Sequence, residues 1–267
     1  MALVHLDFFS ETLGLCCSTY IILPQATRSQ IGMEGKAGIG PFKTLYLLHG
    51  LSDDHTIWLR RTSIERYVAP LNLAVVMPAA NRSFYTDMAS GPKYWTFVSE
   101  ELPAICRAYF PLSNAREDTF AAGLSMGGYG AFKLGLGRPD LFAAAASLSG
   151  ALNMARLAEA EEGDWRREME GVFGPLDGIA GSPNDLFHLA TQVARSNGEK
   201  PRLFQWCGTE DFLYEGNIAF RDHAVREGLD LTYSEGPGGH TWDMWDAQIE
   251  RVLEWLDIAP EDARGTQ

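Results

Sequence analysis

The sequence predicts an α/β fold, a mostly parallel sheet with helices on both faces. Three observations carry that prediction. Short apolar runs recur along the chain, helical periodicities fall between them, and one run leads directly into a glycine-rich turn, Gly123-Leu124-Ser125-Met126-Gly127. Continuous apolar runs of this length suit strands covered on both sides, and helices alternating with such strands supply the covering.

The elements follow in order. VHLDFFS and CCSTYIILP flank the turn-like TLGL and read as an antiparallel hairpin. The glycine-rich stretch 32–40 reads as a loop. Six strands are expected next: TLYLLHG, NLAVVMP, DTFAAGLS, FAAAASLSG, RLFQWCG and LDLTYSEG. Helices are expected over Thr62–Val68, Phe97–Phe110, Ser125–Leu136, Gly216–Glu227 and Trp242–Leu256. In the last, Trp245, Ile249, Val252 and Leu256 share one stripe. The segment at about 153–197 breaks the alternation, charged early and loop-rich later, with two helical pieces and no clear strand. It reads as a small cap-like insertion over one end of the sheet, so residues 1–267 form one domain.

Composition narrows the function. The chain has 267 residues, 46% hydrophobic and 21% charged, as expected of a globular protein with a full core. Its net charge of −13 argues against nucleic acid, since phosphate contacts are made largely by Lys and Arg. It also weighs against strongly anionic substrates, and part of it clusters in the insertion at Glu159, Glu161, Glu162 and Asp164. The four cysteines, Cys16, Cys17, Cys106 and Cys207, have no metal-site spacing and read as reduced, buried thiols. The start, MALVHLDFFSETLG, lacks the basic beginning and long apolar run of a secretory signal, and no stretch offers the ~20 apolar residues of a membrane helix. A cytoplasmic location without a membrane partner is expected.

The chemistry begins at Ser125. Gly-x-Ser-x-Gly between a strand and a helix is a nucleophile elbow, where the chain turns too sharply for side chains at the flanking positions. A serine hydroxyl needs a base to take its proton, and the base needs a carboxylate to fix its tautomer. Three histidines follow Ser125. His223 reads as a surface residue of a helix and His188 as structural, whereas His240 follows GPGG directly after the last strand. The acid is expected after the preceding strand, at Asp211, with Glu210 a solvated neighbour. Asp243 and Asp246 come after the histidine and read as the exposed face of the last helix. Backbone N–H groups of Met126 and of Leu51, in the loop His49-Gly50-Leu51, are the candidate oxyanion donors, with His49 bracing the loop. Asp53, Asp54 and His55 read as solvated, and neither a metal nor an organic cofactor is expected. Trp58, Tyr85, Trp95 and Trp242 are candidate substrate-binding residues, because ligand pockets are largely apolar with a few polar anchors. Phe84, Tyr94 and Tyr214 fall in similar segments.

The stretches HGLSDDHTIWLRRTSIERY, LAVVMPAANRSFYTDM, EELPAICRAYFP, FAAGLSMGGYGAFKLGL, WCGTEDFLY and PGGHTWDMWD together resemble the esterase D group of α/β-hydrolases, most of all its bacterial tributyrin esterase type. The resemblance runs from Asp7 to Leu256. It implies an α/β-hydrolase fold and a serine carboxylesterase for short-chain acyl esters. It also implies a Ser125–Asp211–His240 triad and oxyanion donors at Leu51 and Met126, and it leaves a homo-oligomer open. The same group holds acetyl-xylan and feruloyl esterases, S-formylglutathione hydrolases and mycolyltransferases. The chain is shorter than the glutathione-linked members and departs from them around HGLSDDHTIW. Short acyl esters therefore come first, esters of acylated carbohydrates second and the thiol ester last.

Overall fold

The computed structural model describes residues 1–27, 29–32, 35, 40–159 and 162–258. Strands β1 (Ala2–Ser10) and β2 (Leu15–Leu23) form the hairpin. Then come β3 (Lys43–Leu48), α1 (Ile57–Arg61), α2 (Ile64–Val68) and β4 (Leu73–Pro78). A helical run follows, from α3 (Tyr94–Thr96) through a π turn at Phe97–Glu101 into α4 (Leu102–Tyr109). Glu101, at the end of that turn, accepts the Glu11 N–H at 2.8 Å and so holds the hairpin tip. Next are β5 (Thr119–Leu124), α5 (Met126–Gly137) and β6 (Ala144–Leu148). Among the described residues, 153–197 carry α6 (Met154–Glu159), α7 (Asp164–Phe173) and α8 (Leu186–Arg195), three helices where the sequence suggests two. The chain ends with β7 (Arg202–Gly208), α9 (Tyr214–Glu227), β8 (Leu231–Gly236) and α10 (Trp242–Trp255).

Among the described residues, eight strands form one sheet in the order β1-β2-β4-β3-β5-β6-β7-β8. The β1–β2 and β2–β4 pairs are antiparallel, and every other pair is parallel. Period-two alternation divides each central strand between two cores. In β3, Tyr46 and Leu48 face the layer that contains Phe132 of α5 and Phe220 of α9. Leu45 and Leu47 face the layer built by Trp58, Val68 and Ile249 from α1, α2 and α10. This is the mostly parallel sheet with helices on both faces expected from the alternation of strands and helices.

The parallel strands all end at one side of the sheet, the side at which open α/β sheets present ligands. His49-Gly50-Leu51 follows β3, Ser125 follows β5, Asp211 follows β7 and His240 follows β8.

Several expectations need correction. Cys17, Cys106 and Cys207 are buried free thiols, but Cys16 is exposed on β2 because neighbouring strand residues point to opposite faces. His223 is not a free surface residue. Its Nε2 lies 2.9 Å from Thr191 Oγ1 and 3.0 Å from the Phe187 carbonyl, so it joins α9 to α8. Asp246 accepts the Tyr67 hydroxyl at 3.0 Å and the Ser63 N–H at 3.1 Å, fastening α10 to α2. Of the acidic cluster in the insertion, Glu161 and the side chain of Glu159 lie outside the described residues, while Glu162 and Asp164 are exposed. Most of the 32–40 loop also lies outside them. Among the described residues no helix is long and apolar enough to cross a membrane.

Candidate active site

Ser125 sits between β5 and α5 with φ 53° and ψ −119°, a backbone conformation that L residues rarely adopt. The glycines around it permit the turn. A Cβ on Gly123 would lie 2.3 Å from the Gly127 carbonyl oxygen, and one on Gly127 would lie 2.4 Å from that of Leu48. A Cβ on Gly128 would meet Ser147 Oγ at 2.7 Å. The Ser125 N–H donates to Leu148 O at 2.9 Å, which anchors the strained residue to β6.

The fold brings the three side chains expected for acyl transfer together. His240 Nε2 is 3.0 Å from Ser125 Oγ, and His240 Nδ1 is 2.8 Å from Asp211 Oδ2. The Asp211 side chain is fully buried, and its second oxygen accepts the Leu213 N–H at 2.9 Å. With both oxygens engaged, the carboxylate is fixed and holds the proton of the imidazole on Nδ1, leaving Nε2 free to accept from the serine. Sequence alone made Glu210 a solvated neighbour. It is exposed, yet its Oε2 accepts the Gly238 N–H at 2.7 Å and ties the acid loop to the glycine loop that carries His240. Buried Asn217 extends this scaffold. Its Nδ2 donates to Gly150 O and Leu213 O, both at 2.9 Å, joining the loops after β6 and β7.

The candidate oxyanion donors also have a defined frame. Met126 opens α5, where the first N–H groups have no intrahelical acceptor and the helix dipole favours negative charge. His49 is 1% exposed, and burial pushes its imidazole down to about 4, so it is neutral at pH 7. Its Nε2 accepts the Ala80 N–H at 3.0 Å, which leaves Nδ1–H to donate to Gly50 O at 2.7 Å. The imidazole therefore fixes the peptide from which the Leu51 N–H projects.

The aromatic residues expected to bind substrate are arranged differently. Trp58 and Tyr85 are 1% and 0% exposed and offer no surface to a ligand. Trp58 Nε1 donates to Leu48 O at 3.1 Å and the Tyr85 hydroxyl to His49 O at 3.0 Å, so both support the end of β3 from beneath. Trp95 packs against Gly137 at the far end of α5, roughly 18 Å along the helix from Ser125 at 1.5 Å per residue. Trp242 is half-buried and stacks edge-on against Trp58 and Trp245, and it reaches His240 only through Trp245, whose ring packs edge-on against the imidazole. The residue that sequence reasoning missed is Phe212. Its ring centroid is 4.6 Å from that of His240, yet the residue is 75% exposed. Its position beside Asp211 was the available signal. Phe212 also borders a cavity of about 220 Å³, shared with Leu152, Asn153, Arg156 and Glu215. Phe212 thus stands between the imidazole and that cavity, touching the first and bordering the second.

Comparison with known proteins places the chain in a family. The family described as "Putative esterase" matches residues 34–256. The acetyl esterase of Caldicellulosiruptor saccharolyticus is 34% identical over 263 residues, covering 96% of this chain and 98% of that protein. The fluorophosphonate-binding serine hydrolase FphF of Staphylococcus aureus superposes with a TM-score of 0.85 at 36% identity, over 96% of this chain and 98% of its own. The S-formylglutathione hydrolase FrmB of the same organism gives a TM-score of 0.83 at 36% identity with the same coverage. The family match spans most of the chain and the relatives are covered almost end to end: the chain belongs to the Esterase family, and it is a carboxylic ester hydrolase with the α/β-hydrolase fold.

Proposed function

We propose that the protein is a serine carboxylesterase of the tributyrin esterase type, acting on short-chain acyl esters, acetyl esters first, with Ser125, His240 and Asp211 as its triad. The observation that carries this reading is the continuous relay from Asp211 Oδ2 through the imidazole to Ser125 Oγ, with distances of 2.8 and 3.0 Å. His240 Nε2 takes the Ser125 proton as Oγ forms a bond to the carbonyl carbon, and the π pair moves to the carbonyl oxygen. The N–H groups of Leu51 and Met126 hold that oxyanion. Collapse breaks the bond to the leaving oxygen, which receives the proton from His240. Water, deprotonated by the same imidazole, then releases the acid from the acyl-enzyme.

The substrate reading leans on the similarity to the acetyl esterase over nearly the whole chain. The similarity to FrmB supports a second reading, hydrolysis of a small acyl thioester such as S-formylglutathione. The test is a panel of p-nitrophenyl esters of increasing acyl length, tributyrin, acetylated xylo-oligomers, methyl ferulate and S-formylglutathione. A maximal kcat/KM on acetyl or butyryl esters supports the first reading, and a maximum on the thioester replaces it with the second. Ser125→Ala is expected to abolish turnover of p-nitrophenyl acetate, and full retention would remove the triad assignment.

A further inference from the structure

Lys133 lies in the middle of α5, eight residues after Ser125, and is 3% exposed. Burying an ammonium is costly, and such groups normally have an acidic partner. Here Nζ donates instead to three neutral oxygens: Asn184 Oδ1 at 2.7 Å, Thr86 Oγ1 at 2.8 Å and Tyr85 O at 3.4 Å. The rings of Trp95 and Tyr129 complete the enclosure, with centroids at 5.0 and 5.8 Å. A methionine would fill similar space without the desolvation cost, so the ammonium must be explained by what it holds.

It holds two segments that meet the site. Phe84 and Tyr85 have φ of 50° and 51°, left-handed values unfavourable for bulky residues and maintained only where the surroundings enforce them. The Tyr85 ring lies against Gly130, where an added Cβ would come within 2.4 Å of Cδ2, and its hydroxyl donates to His49 O at 3.0 Å. His49 begins the loop that offers the Leu51 N–H. The second segment is 153–197, which reaches α5 through Asn184. Its side chain accepts from Lys133, and its carbonyl accepts the Tyr129 hydroxyl at 2.8 Å.

We propose that Lys133 is a positioning residue for the oxyanion loop, acting through the strained Phe84-Tyr85 turn and the His49 carbonyl, and that through Asn184 the same amino group fastens the 153–197 segment to the nucleophile helix. The proposal rests on the esterase reading above. Without the Lys133 amino group, the carbonyl of Tyr85 and the oxygens of Thr86 and Asn184 lose a donor, the left-handed pair relaxes and the Tyr85 hydroxyl leaves its place under His49. The Leu51 N–H then drifts from the developing oxyanion. Displacements near 1 Å typically cost ~10²-fold in rate.

The experiment measures Lys133→Met, Thr86→Val, Tyr85→Phe and the Lys133→Met/Tyr85→Phe double variant on p-nitrophenyl acetate, with melting temperatures. A trifluoromethyl ketone inhibitor is run alongside. Ser125 Oγ adds to its carbonyl carbon, the π pair moves to oxygen and His240 takes the proton, so its Ki reads the oxyanion site. Lys133→Met is expected to lower kcat by about 10–100-fold with KM within about threefold, and to raise the ketone Ki by the factor by which kcat/KM falls. Thr86→Val, which keeps the volume and removes one acceptor, is expected to lower kcat by a smaller factor and serves if Lys133→Met does not fold. Residues acting in series are non-additive, so the double variant is expected to lose no more than the worse single one. A Lys133→Met protein with wild-type kcat and Ki and only a lower melting temperature would overturn the proposal. So would a double variant whose losses multiply, or, where Lys133→Met does not fold, a Thr86→Val protein with wild-type kcat. A wild type inactive on every ester would overturn the esterase reading and this proposal with it, whereas an active wild type with unaffected variants overturns the proposal alone.

Discussion

Gly127→Ala is the sharpest test of how the site is built. The added methyl would lie 2.4 Å from Leu48 O, 2.7 Å from His49 O and 2.7 Å from Leu48 C, all backbone atoms. Relief requires a separation of about 1 Å between the end of β3 and the start of α5. β3 cannot yield easily, because it is paired on both sides and His49 is held through both ring nitrogens. The start of α5 must therefore move, carrying the Met126 N–H away from the Leu51 N–H. Overpacking of this kind costs about 1–3 kcal/mol of stability, and loss of one oxyanion donor costs about 10²–10³ in kcat. Gly171→Ala is the control. It sits inside α7 with nothing within 4 Å of its Cβ position and is expected to stabilise by about 0.5–1 kcal/mol with kcat unchanged. The assay is kcat/KM on p-nitrophenyl acetate together with the urea midpoint of each variant. If Gly127→Ala stayed within threefold of the wild type in kcat/KM, the close approach of β3 and α5 would have no bearing on the oxyanion site.

Other perturbations reach different parts of the structure. Asp211→Asn keeps an oxygen for the Leu213 N–H and turns its NH₂ toward His240, which forces the imidazole proton onto Nε2; kcat is expected to fall about 10⁴-fold, and a loss under tenfold would contradict the relay. Phe212→Ala is expected to raise KM for p-nitrophenyl esters about 2–12-fold, the value of one aromatic contact, with the melting temperature unchanged because the ring is 75% exposed. Burial pushes the Lys133 ammonium down to about 7, with Asp87 the nearby charge that opposes the shift. Above that pH the folded state has shed a proton that the unfolded chain keeps to its ordinary value of 10.5, so stability rises with pH, by up to about 3 kcal/mol between pH 7 and 9. Beyond pH 9 the trend reverses, because the buried thiols of Cys17, Cys106 and Cys207, pushed up to about 12, resist the ionisation available to them when unfolded. Urea titrations over pH 7–9 are expected to show the wild type gaining stability relative to Lys133→Met, which itself declines slightly toward pH 9 as the thiols begin to ionise in the unfolded chain.

Much of the fold was legible because it rests on local signals. Apolar runs and helical periodicity are properties of neighbouring residues, and they marked every central strand and most of the helices around the sheet. The start of the nucleophile segment was equally legible, since a sharp strand-to-helix turn demands small residues at fixed positions around Ser125. The order of Asp211 and His240 along the chain then left few alternatives, and the fold brings both within hydrogen-bond distance of their expected partners. Among the described residues, the short helix α1 and one more helix in the 153–197 segment than the sequence suggests stand out, because elements as short as α1 and α6 depend on packing more than on periodicity.

The aromatic residues show where sequence stops. Trp58 and Tyr85 stand in the strand-end segments where a pocket is expected, yet their polar atoms bind Leu48 O and His49 O. Those acceptors are backbone carbonyls, which leave no trace in residue type. Lys133 is similar: in sequence it is one lysine on an apolar helix, and only the convergence of Tyr85, Thr86 and Asn184 from distant segments explains its burial. By itself the sequence determined the alternation of strands and helices, the candidate nucleophile and the order of its candidate partners, because backbone sterics and hydrophobic period act over a few residues. The tertiary structure decided which aromatics support the β3 loop, which one flanks His240 and what a buried ammonium holds, because those roles are set by contacts between residues tens of positions apart.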